Sequence, residues 1–454
     1  GQQRITSISL LLLAMYNLMR ENIIKAKDET LIHLIKNEYL IDQYKNNIIK
    51  LKLINKDHEA FTRLFEDKAE HIKDSRVTIN YEYFYKRIQN EKLQPDTLFK
   101  ALRCLEIMYI SLKDKEDKPQ LIFESLNSTG LDLSEGDKIR NYVLMSLPVK
   151  EQNNFYEKYW NKIEEYTAQD NEYHADMFIR DYLSVKQKRV PAISSIYFTF
   201  KDFVETNNLE TEDLLKELLS YSRFYNLLIK PEEHKDKDKN LTACIYRLNW
   251  LKTTVTRPFF LEILRLESEG ELSLNDTINI FLIIENYIVR RSICELPTSA
   301  LNKMFVALHN EIIKYDGSSQ NYFEKLKHAL LSKKGNTALP RDEDFIKDFA
   351  HKDLFSSSNK NKLVYILERL ENFGTAESKN IYENFGKSDG GYSIEHIMPQ
   401  NLTPEWTRSL GRDYNKIYNK WLNKIANLTL TAYNSKLSNK TFAEKRDMKD
   451  GFKQ

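Results

Sequence analysis

Apolar residues recur along most of this chain with the spacing of helices and alternate with polar residues only near its end. A helix is predicted over 6–19, where leucine and isoleucine face nearly every side, which is typical of a buried helix. A second helix is predicted over 274–291. Alternation over 426–432 indicates a short strand, and 392–398 is predicted to be another. We therefore expect a mainly α-helical chain with small α+β modules.

Composition supports this fold class and narrows the type of protein. The 454 residues are enough for two or three domains, and only 12 Gly and 10 Pro interrupt the helical patterns. Cys104, Cys244 and Cys294 are isolated in sequence, which favours neither a disulfide framework nor a zinc ribbon and suits a cytoplasmic protein. The apolar run over 8–15 is too short to span a bilayer and lacks a cleavage site, so we expect no membrane association.

Candidate chemistry is concentrated in the two predicted strands and the helical turn after them. His396 is the candidate general base, because histidine titrates near neutral pH. Glu395 and the amide of Asn434 are candidate oxygen ligands of a divalent cation, with Asn439 as a rival ligand. Asn427 is the candidate that holds the second imidazole nitrogen. Because these ligands are oxygens and not thiolates, the predicted ion is Mg²⁺ or Mn²⁺ and not zinc.

Two features of this candidate site leave an alternative open. Glu395 and His396 are adjacent, so in a regular strand they point to opposite faces and share an ion only where the strand ends or twists. Asn427 and Asn434 also lie close together in sequence. In the alternative interpretation His396 is a hydrogen-bonded core histidine and the asparagines form turns.

Three segments together resemble one nuclease family. They are Glu-His-Ile-Met-Pro-Gln at 395–400, Asn-Leu-Thr-Leu at 427–430, and Asn-Ser-Lys-Leu-Ser-Asn-Lys-Thr-Phe-Ala-Glu-Lys at 434–445. They resemble the HNH (ββα-metal) nuclease motif and, more closely, the C-terminal nuclease of GmrSD-type modification-dependent (type IV) restriction enzymes. The resemblance implies a metal-dependent endonuclease that cuts double-stranded DNA.

The charge distribution is compatible with a DNA substrate. The whole chain carries only +2, but residues 386–454 contain 12 Lys/Arg against 7 Asp/Glu, which leaves a negative balance for the rest of the chain. A positive excess favours phosphate contacts, and we predict them for Lys436, Lys440 and Lys445. The alternative is a solvated lysine-rich surface. Arg290 and Arg291 lie at the end of a predicted helix, where the helix dipole favours cations, and DNA backbone contact is the alternative.

The first residues carry a second resemblance. Gly1, Gln2, Gln3 and Arg4 are similar to the Asp-Gly-Gln-Gln-Arg motif of the ParB-like domain that precedes the nuclease in GmrSD-type enzymes, where it is associated with nucleotide binding and hydrolysis. Free amides at a helix start and a guanidinium suit a phosphate. The alternative is a plain helix start. The motif's aspartate would precede Gly1, so we expect the sequence to begin inside this domain and assign only part of a nucleotide site to these four residues.

Turn and cap signals lie in the stretch 120–141. Residues 127–130 are predicted to form a turn, and Ser134-x-x-Asp137 is predicted to begin a helix. The stretch resembles a pattern of the same family, with Asp137 and Arg140 at its end. Turn formation and helix capping are sufficient structural reasons for the residues of this stretch. The alternative is that they lie near the bound nucleotide or a modified base.

The predicted organisation has three parts: a ParB-like nucleotide- and DNA-sensing domain over 1–148 that lacks its beginning, a helical connector over 149–270, and a helical plus HNH nuclease domain over 271–454 with its core at 390–450. By resemblance, the function is cleavage of modified phage DNA under control of a nucleoside triphosphate. The resemblance leaves open whether the chain forms a homo-oligomer. The alternatives are a nucleotide-gated DNA-binding regulator with an inactive HNH fold, and a chain whose N-terminal NTPase does all the work.

Overall fold

The computed structural model describes residues 2–45, 48–53, 55–106, 133–145, 147–169, 172–375, 379–387, 390–449 and 451–452. These residues are mainly helical, and their strands form three two-stranded antiparallel sheets. The prediction of a mainly α-helical fold with small β-containing modules is therefore confirmed. The chain divides into two compact units, Gly1–Asp114 and Lys115–Gln454.

The first unit is built on a long apolar helix. This helix, α1 (Gln2–Arg20), packs against α4 (Arg76–Asn90) and buries Leu13 and Leu18 completely. The predicted buried helix is confirmed, although it begins at Gln2, four residues earlier than expected. The other elements of this unit are α2 (Leu31–Leu34), a π-helical turn (Ile35–Leu40), the paired strands β1 (Ile41–Asp42) and β2 (Ile48–Ile49), α3 (Asn55–Arg63), a 3-10 turn (Lys68–Glu70) and α5 (Pro95–Arg103).

The first part of the second unit consists of helices around one core. They are α6 (Glu135–Met145), α7 (Val149–Phe155), a π-helical turn (Tyr156–Trp160), α8 (Asn161–Thr167), α9 (Ala175–Gln187), α10 (Ile196–Thr206), α11 (Thr211–Ile229), α12 (Lys239–Trp250), α13 (Arg257–Ser268), α14 (Leu274–Ile293), α15 (Leu301–Ile313) and α16 (Tyr322–Leu331). The short strands β3 (Ala168–Gln169) and β4 (Glu172–Tyr173) pair between α8 and α9, and 3-10 turns occupy Ile193–Ser195 and Pro231–Glu233. The predicted start of α6 is confirmed, because the Ser134 hydroxyl accepts a hydrogen bond from the Asp137 backbone N–H at 3.1 Å. The predicted turn at 127–130 lies outside the described residues.

One hydrophobic core runs through these helices. Its buried side chains extend along the chain from Ile139 to Leu330. The predicted connector over 149–270 thus shares its core with helices on both sides. The division between the compact units falls at Asp114, whereas the boundaries proposed at 148 and 270 stay a prediction.

A buried ionic network joins this core to the C-terminal helices. Arg247 of α12 donates to both carboxylate oxygens of Glu285 of α14, at 2.6 and 2.7 Å. Tyr365, from the later helix α18 (Lys360–Glu371), donates its hydroxyl to the same carboxylate at 2.9 Å. All three residues are buried, so the charge of Glu285 is paired and hydrogen-bonded as burial requires.

The C-terminal part of the second unit contains the region that was predicted to carry the chemistry. Its elements are a 3-10 turn (Gly335–Thr337), α17 (Asp342–His351), a 3-10 turn (Ser357–Asn359), α18, α19 (Ile381–Asn384), β5 (Ser393–His396), α20 (Pro404–Leu410), α21 (Tyr414–Trp421), a 3-10 turn (Ile425–Asn427), β6 (Leu428–Thr431), α22 (Asn434–Leu437) and α23 (Phe442–Asp447). Leu354, Leu363, Ile366 and Leu428 belong to one buried cluster, which packs α18 beneath the strand pair. A capping box between Thr441 and Glu444 begins α23.

The helix predicted over 274–291 is confirmed as α14, and its two terminal arginines are held by protein groups. Arg291 is 2% exposed and donates to the backbone oxygens of Pro297, Asn336 and Ala338. This burial contradicts a DNA contact by Arg291. Arg290 forms an ion pair with Asp342 at 2.6 Å.

Within the described part of the chain, no helix combines the length and the apolar character needed to cross a membrane.

Candidate active site

The two strands predicted near the end of the chain pair as an antiparallel hairpin. Glu395 of β5 lies opposite Thr429 of β6, and His396 lies opposite Leu428. Each strand has four residues. The short helix α22 begins at Asn434, where the helical turn was predicted.

The two faces of this hairpin differ in chemistry. Side chains alternate along a strand, so Ile394 and His396 share one face. This face packs on the buried cluster that includes residues of α18, and Phe355 also packs against that cluster. The imidazole of His396 meets the Phe355 ring edge-on, with centroids 4.4 Å apart. Glu395 lies on the other face, against α23. The adjacent acid and histidine therefore point in opposite directions at the end of β5.

His396 is buried and only partly hydrogen-bonded. The residue is 7% exposed, and its Nε2 atom is buried with no hydrogen-bond partner in the part of the chain that the structure describes. The Asn423 side chain hydrogen-bonds the imidazole. Burial lowers the pKa of His396, and the positive charge of Lys445 acts in the same direction. The hydrogen bond that the ring donates to the Asn423 side chain opposes them. The ring is therefore neutral at pH 7, which is the form that a general base needs.

Asn427 has different partners from those predicted. Its side-chain oxygen accepts from the backbone N–H of Met398 at 2.7 Å, and its amide nitrogen donates to the oxygens of Met398 and Leu422. Its own backbone oxygen accepts from Ile397 N–H at 2.9 Å. Asn427 thus fixes the chain that leaves β5, while Asn423 contacts the imidazole.

Asn423 was missed because its sequence context carries little signal. It lies between α21 and the 3-10 turn before β6, at a position where an asparagine is expected as a turn residue. The backbone oxygen of Asn423 accepts from Leu354 N–H at 2.9 Å, which fixes the residue beside the segment that bears Phe355. Only the three-dimensional pairing of these segments identifies its contact with His396.

A buried ion pair holds Glu395. The Lys445 ammonium donates to Glu395 Oε1 at 2.6 Å and to the backbone oxygens of His396 and Ile397 at 2.9 and 3.2 Å. The side chains are 6% and 0% exposed. Burial raises the pKa of Glu395, and the hydrogen bond and charge of Lys445 oppose that rise. Because Lys445 is completely buried, the predicted DNA contact by Lys445 is contradicted.

The two candidate amide ligands lie in different environments. Asn434 is half-buried, and its amide nitrogen donates to the Ile394 backbone oxygen at 3.2 Å, which ties α22 to β5 next to Glu395. Asn439 is exposed, beyond the end of α22. The structure thus brings Asn434 to the strand that carries Glu395. Within the described residues, no group of three or more His, Cys, Asp and Glu side chains is arranged to hold a metal ion.

The remaining predicted binding residues are exposed where they are described. Lys436 and Lys440 are exposed, and the Lys436 ammonium lies 4.7 Å from the centre of the Tyr433 ring. In the first unit, Gln3 and Arg4 are exposed in the first turn of α1. Gly1 lies outside the described residues, and the structure does not describe the Gln2 side chain. The roles assigned to these residues stay predictions.

Comparison with known proteins identifies both ends of the chain. Residues 339–453 match the model of the C-terminal domain of GmrSD restriction endonucleases. Residues 1–144 match the model of the N-terminal domain of the same enzymes. No curated protein matches the chain. Because the two matches describe the two ends of one kind of nuclease, in the order in which they occur here, this chain belongs to the GmrSD restriction endonucleases.

Proposed function

We propose that β5, β6 and α22 form an HNH (ββα-metal) unit that hydrolyses DNA phosphodiester bonds, with His396 as the general base. The observation that carries this proposal is the buried Nε2 atom of His396, which lacks a hydrogen-bond partner among the described residues. Buried polar atoms are nearly always hydrogen-bonded, so an orphaned ring nitrogen suits a group that a water or substrate satisfies.

The proposed chemistry follows from the state of this imidazole. Nε2 accepts a proton from a water molecule, and the water oxygen bonds to phosphorus. The phosphorus–oxygen bond to the leaving strand end breaks, and the leaving oxygen keeps the electron pair and takes a proton from solvent. The lowered pKa of His396 keeps the ring in its proton-accepting form near neutral pH. The hydrogen bond that the ring donates to Asn423 holds the orientation of the ring, which is the role predicted for Asn427.

Oxygen donors that a hard divalent cation uses lie on β5 and α22, with Glu395 on the face of β5 opposite the His396 ring. Glu395 supplies a carboxylate and Asn434 an amide oxygen, and Mg²⁺ commonly uses one or two protein oxygens together with water and substrate phosphates. When bound, Mg²⁺ or Mn²⁺ supplies positive charge for the phosphate oxygens. None of the three cysteines belongs to the hairpin, so the donor set does not favour zinc.

Metal removal tests this assignment. EDTA is expected to abolish plasmid nicking, and Mg²⁺ or Mn²⁺ to restore it. Asn434→Ala is expected to raise the metal concentration for half-maximal cleavage by about 10–100-fold, the cost seen when partners of a metal site are removed. Asn439→Ala is the matched control, and its metal requirement should stay within about twofold of wild type because Asn439 is exposed beyond α22. Equal effects of the two substitutions would contradict Asn434 as the ligand.

The N-terminal match supports a further part of the proposal. We propose that residues 1–148 bind a nucleoside triphosphate and sense a modified feature of phage DNA, so that nucleotide hydrolysis licenses cleavage in antiviral defence. The match over 1–144 and the exposed Gln3 and Arg4 at the N-terminus of a 19-residue helix support this.

A panel of modified and unmodified phage DNAs, each incubated with and without individual nucleotides, tests the sensing role. Cleavage is expected only for a modified DNA and only with a nucleoside triphosphate present. Equal cleavage of all DNAs without nucleotide would contradict both the sensor and its control by nucleotide.

One observation favours a second candidate function, a nucleotide-gated DNA-binding regulator with an inactive HNH fold. Lys445 already neutralises Glu395 inside the protein, which weakens the attraction of that carboxylate for a divalent ion. The nicking experiment separates the two functions. Failure to cut any DNA of the panel with either metal, combined with retained DNA binding, would favour the regulator.

A further inference from the structure

A cleft of about 370 Å³ with a mixed polar and apolar lining lies between the end of α12, α14 and the start of α18. The residues that give it its chemistry are Lys252, Thr253, Ser292, Ser357, Ser358 and Lys362. Hydroxyl groups and ammonium groups are hydrogen-bond donors that suit an anion. No carboxylate is among the residues that line the cleft.

The two lysines keep their positive charge uncompensated. The half-buried Lys362 donates to Ser292 O and Asn359 Oδ1, both at 3.2 Å, and both acceptors are neutral. Lys252 is exposed. In the described residues, neither ammonium lies within 4.0 Å of a carboxylate oxygen. The charges of Glu295 and Lys352 act on Lys362 in opposite directions, and these two residues are ion-paired with each other. Among the described residues, the cleft thus has two ammonium groups that no carboxylate pairs, one exposed and one half-buried.

The cleft and the candidate active site share one chain segment. Phe355 contacts the His396 imidazole, and Ser357 and Ser358 follow it by two and three residues. Three residues of chain span at most about 11 Å. Phosphates repeat every 3.4 Å of rise along one DNA strand. The wall of the cleft is therefore within a few nucleotides of the proposed catalytic base.

We infer that this cleft binds phosphate and that, during cleavage, it holds a backbone phosphate of the DNA a few nucleotides from the bond that is cut. This inference rests on the proposed function for its DNA source. The chemistry that it recognises, a phosphate group contacted by two ammonium groups and several hydroxyls, is shared by DNA and by free nucleotides. The experiment must therefore distinguish these two sources.

Binding is measured by fluorescence anisotropy of a labelled duplex with the full chain, with Ca²⁺ in place of Mg²⁺, across about 50 to 200 mM KCl. Lys252→Gln is expected to weaken binding and to reduce the slope of log affinity against log salt by about 1, the value for one lost phosphate contact. Lys216→Gln is the matched control, because Lys216 is an exposed lysine already paired with Asp213 and Glu212. Its slope is expected to equal that of wild type.

A second pair of variants tests the cleft without removing a lysine. Ser358→Asp places a negative charge in the wall and is expected to weaken duplex binding by tenfold or more, whereas the similarly sized Ser358→Asn is expected to stay within twofold of wild type. Ser358 is exposed on a 3-10 turn, so the melting temperatures of the two variants should match.

The nucleotide arm repeats these measurements with a fluorescent nucleoside triphosphate. Loss of DNA binding alone identifies the DNA backbone as the ligand, and loss of nucleotide binding alone identifies a free phosphate compound and overturns the DNA role. Wild-type binding of both probes by Lys252→Gln and Ser358→Asp overturns the cleft altogether. That result leaves the nuclease proposal intact if EDTA still abolishes nicking. Conversely, if the wild-type protein cuts no DNA but these variants lose DNA binding, the cleft is supported and the nuclease proposal is contradicted.

Discussion

Replacing His396 by alanine is expected to slow Mg²⁺-dependent DNA cleavage by about 10²–10⁴-fold, the usual contribution of a general base. The reason is specific to the ring, since its buried Nε2 is the proton acceptor in the proposed reaction. Single-turnover cleavage of a labelled duplex measures the effect on the chemical step. DNA affinity in Ca²⁺ should change little, because this buried side chain is not proposed to contact the DNA backbone.

The matched control for this substitution is His351→Ala. His351 belongs to the same C-terminal region, but its side chain is exposed at the end of α17, and its Nδ1 is hydrogen-bonded to the Lys347 backbone oxygen at 2.8 Å. Its cleavage rate should remain within about twofold of wild type. Equal rates for wild type and both variants would remove His396 from the mechanism.

The pH dependence of wild-type cleavage provides an independent measurement. The reaction needs neutral imidazole, so the rate should fall as pH drops through the pKa of His396. Burial lowers that pKa below the ordinary value of 6.5, so the acid limb is expected below pH 6.5 and the rate should be level above it until another group titrates. An acid limb above pH 6.5 would be inconsistent with this environment.

Local patterns in the sequence were sufficient for the elements of the site but not for its contacts. Alternation predicted β5 and β6, and it also predicted that Glu395 and His396 point apart, because the period of two is a property of the strand itself. The helical turn at Asn434 and the capping box of α23 follow from residues at most three positions apart. Such features depend on neighbours along the chain, so one sequence reveals them.

The partners of the polar side chains could not be predicted in the same way. Lys445 meets Glu395 across 50 residues, and Asn427 meets Met398 across 29. In sequence, Lys445 looks like its exposed neighbour Lys440, and only the packing of α23 against the hairpin distinguishes them. The shared core from Ile139 to Leu330 likewise depends on tertiary contacts, and it joins helices from all three parts of the predicted organisation.

The positions of Asn434 and Lys445 also explain how the short hairpin is completed. A two-stranded sheet leaves unpaired carbonyl groups along its edges, which cost free energy unless they are hydrogen-bonded. Ile394 O accepts from Asn434, and His396 O accepts from Lys445. α22 and α23 therefore stabilise the outer edge of β5 and also bring polar groups to Glu395. Substitutions here affect folding as well as chemistry, so stability must be measured beside activity.

Replacing Lys445 by methionine is expected to destabilise the C-terminal region by about 3–5 kcal/mol, the cost of removing one partner of a buried ion pair. The substitution leaves the Glu395 carboxylate buried without its cation and removes donors from two backbone oxygens. Urea unfolding at pH 7.5 measures the loss. Lys440→Met, an exposed lysine on the same segment, should lose less than about 0.5 kcal/mol.

The pH dependence and a double substitution distinguish this ion pair from simple packing. Without Lys445, the folded-state pKa of Glu395 rises further, because burial raises it and the lysine opposed that rise. The folded state then binds more protons than the unfolded state, so the penalty grows as pH increases through the ordinary glutamate pKa, near 4.3, toward the raised value. Lys445→Met should therefore cost less at pH 5 than at pH 7.5.

Adding Glu395→Gln should recover part of the loss at pH 7.5, since it removes the unpaired charge. A penalty that is independent of pH and unchanged by Glu395→Gln would mean that Lys445 contributes through its backbone hydrogen bonds and not through its charge.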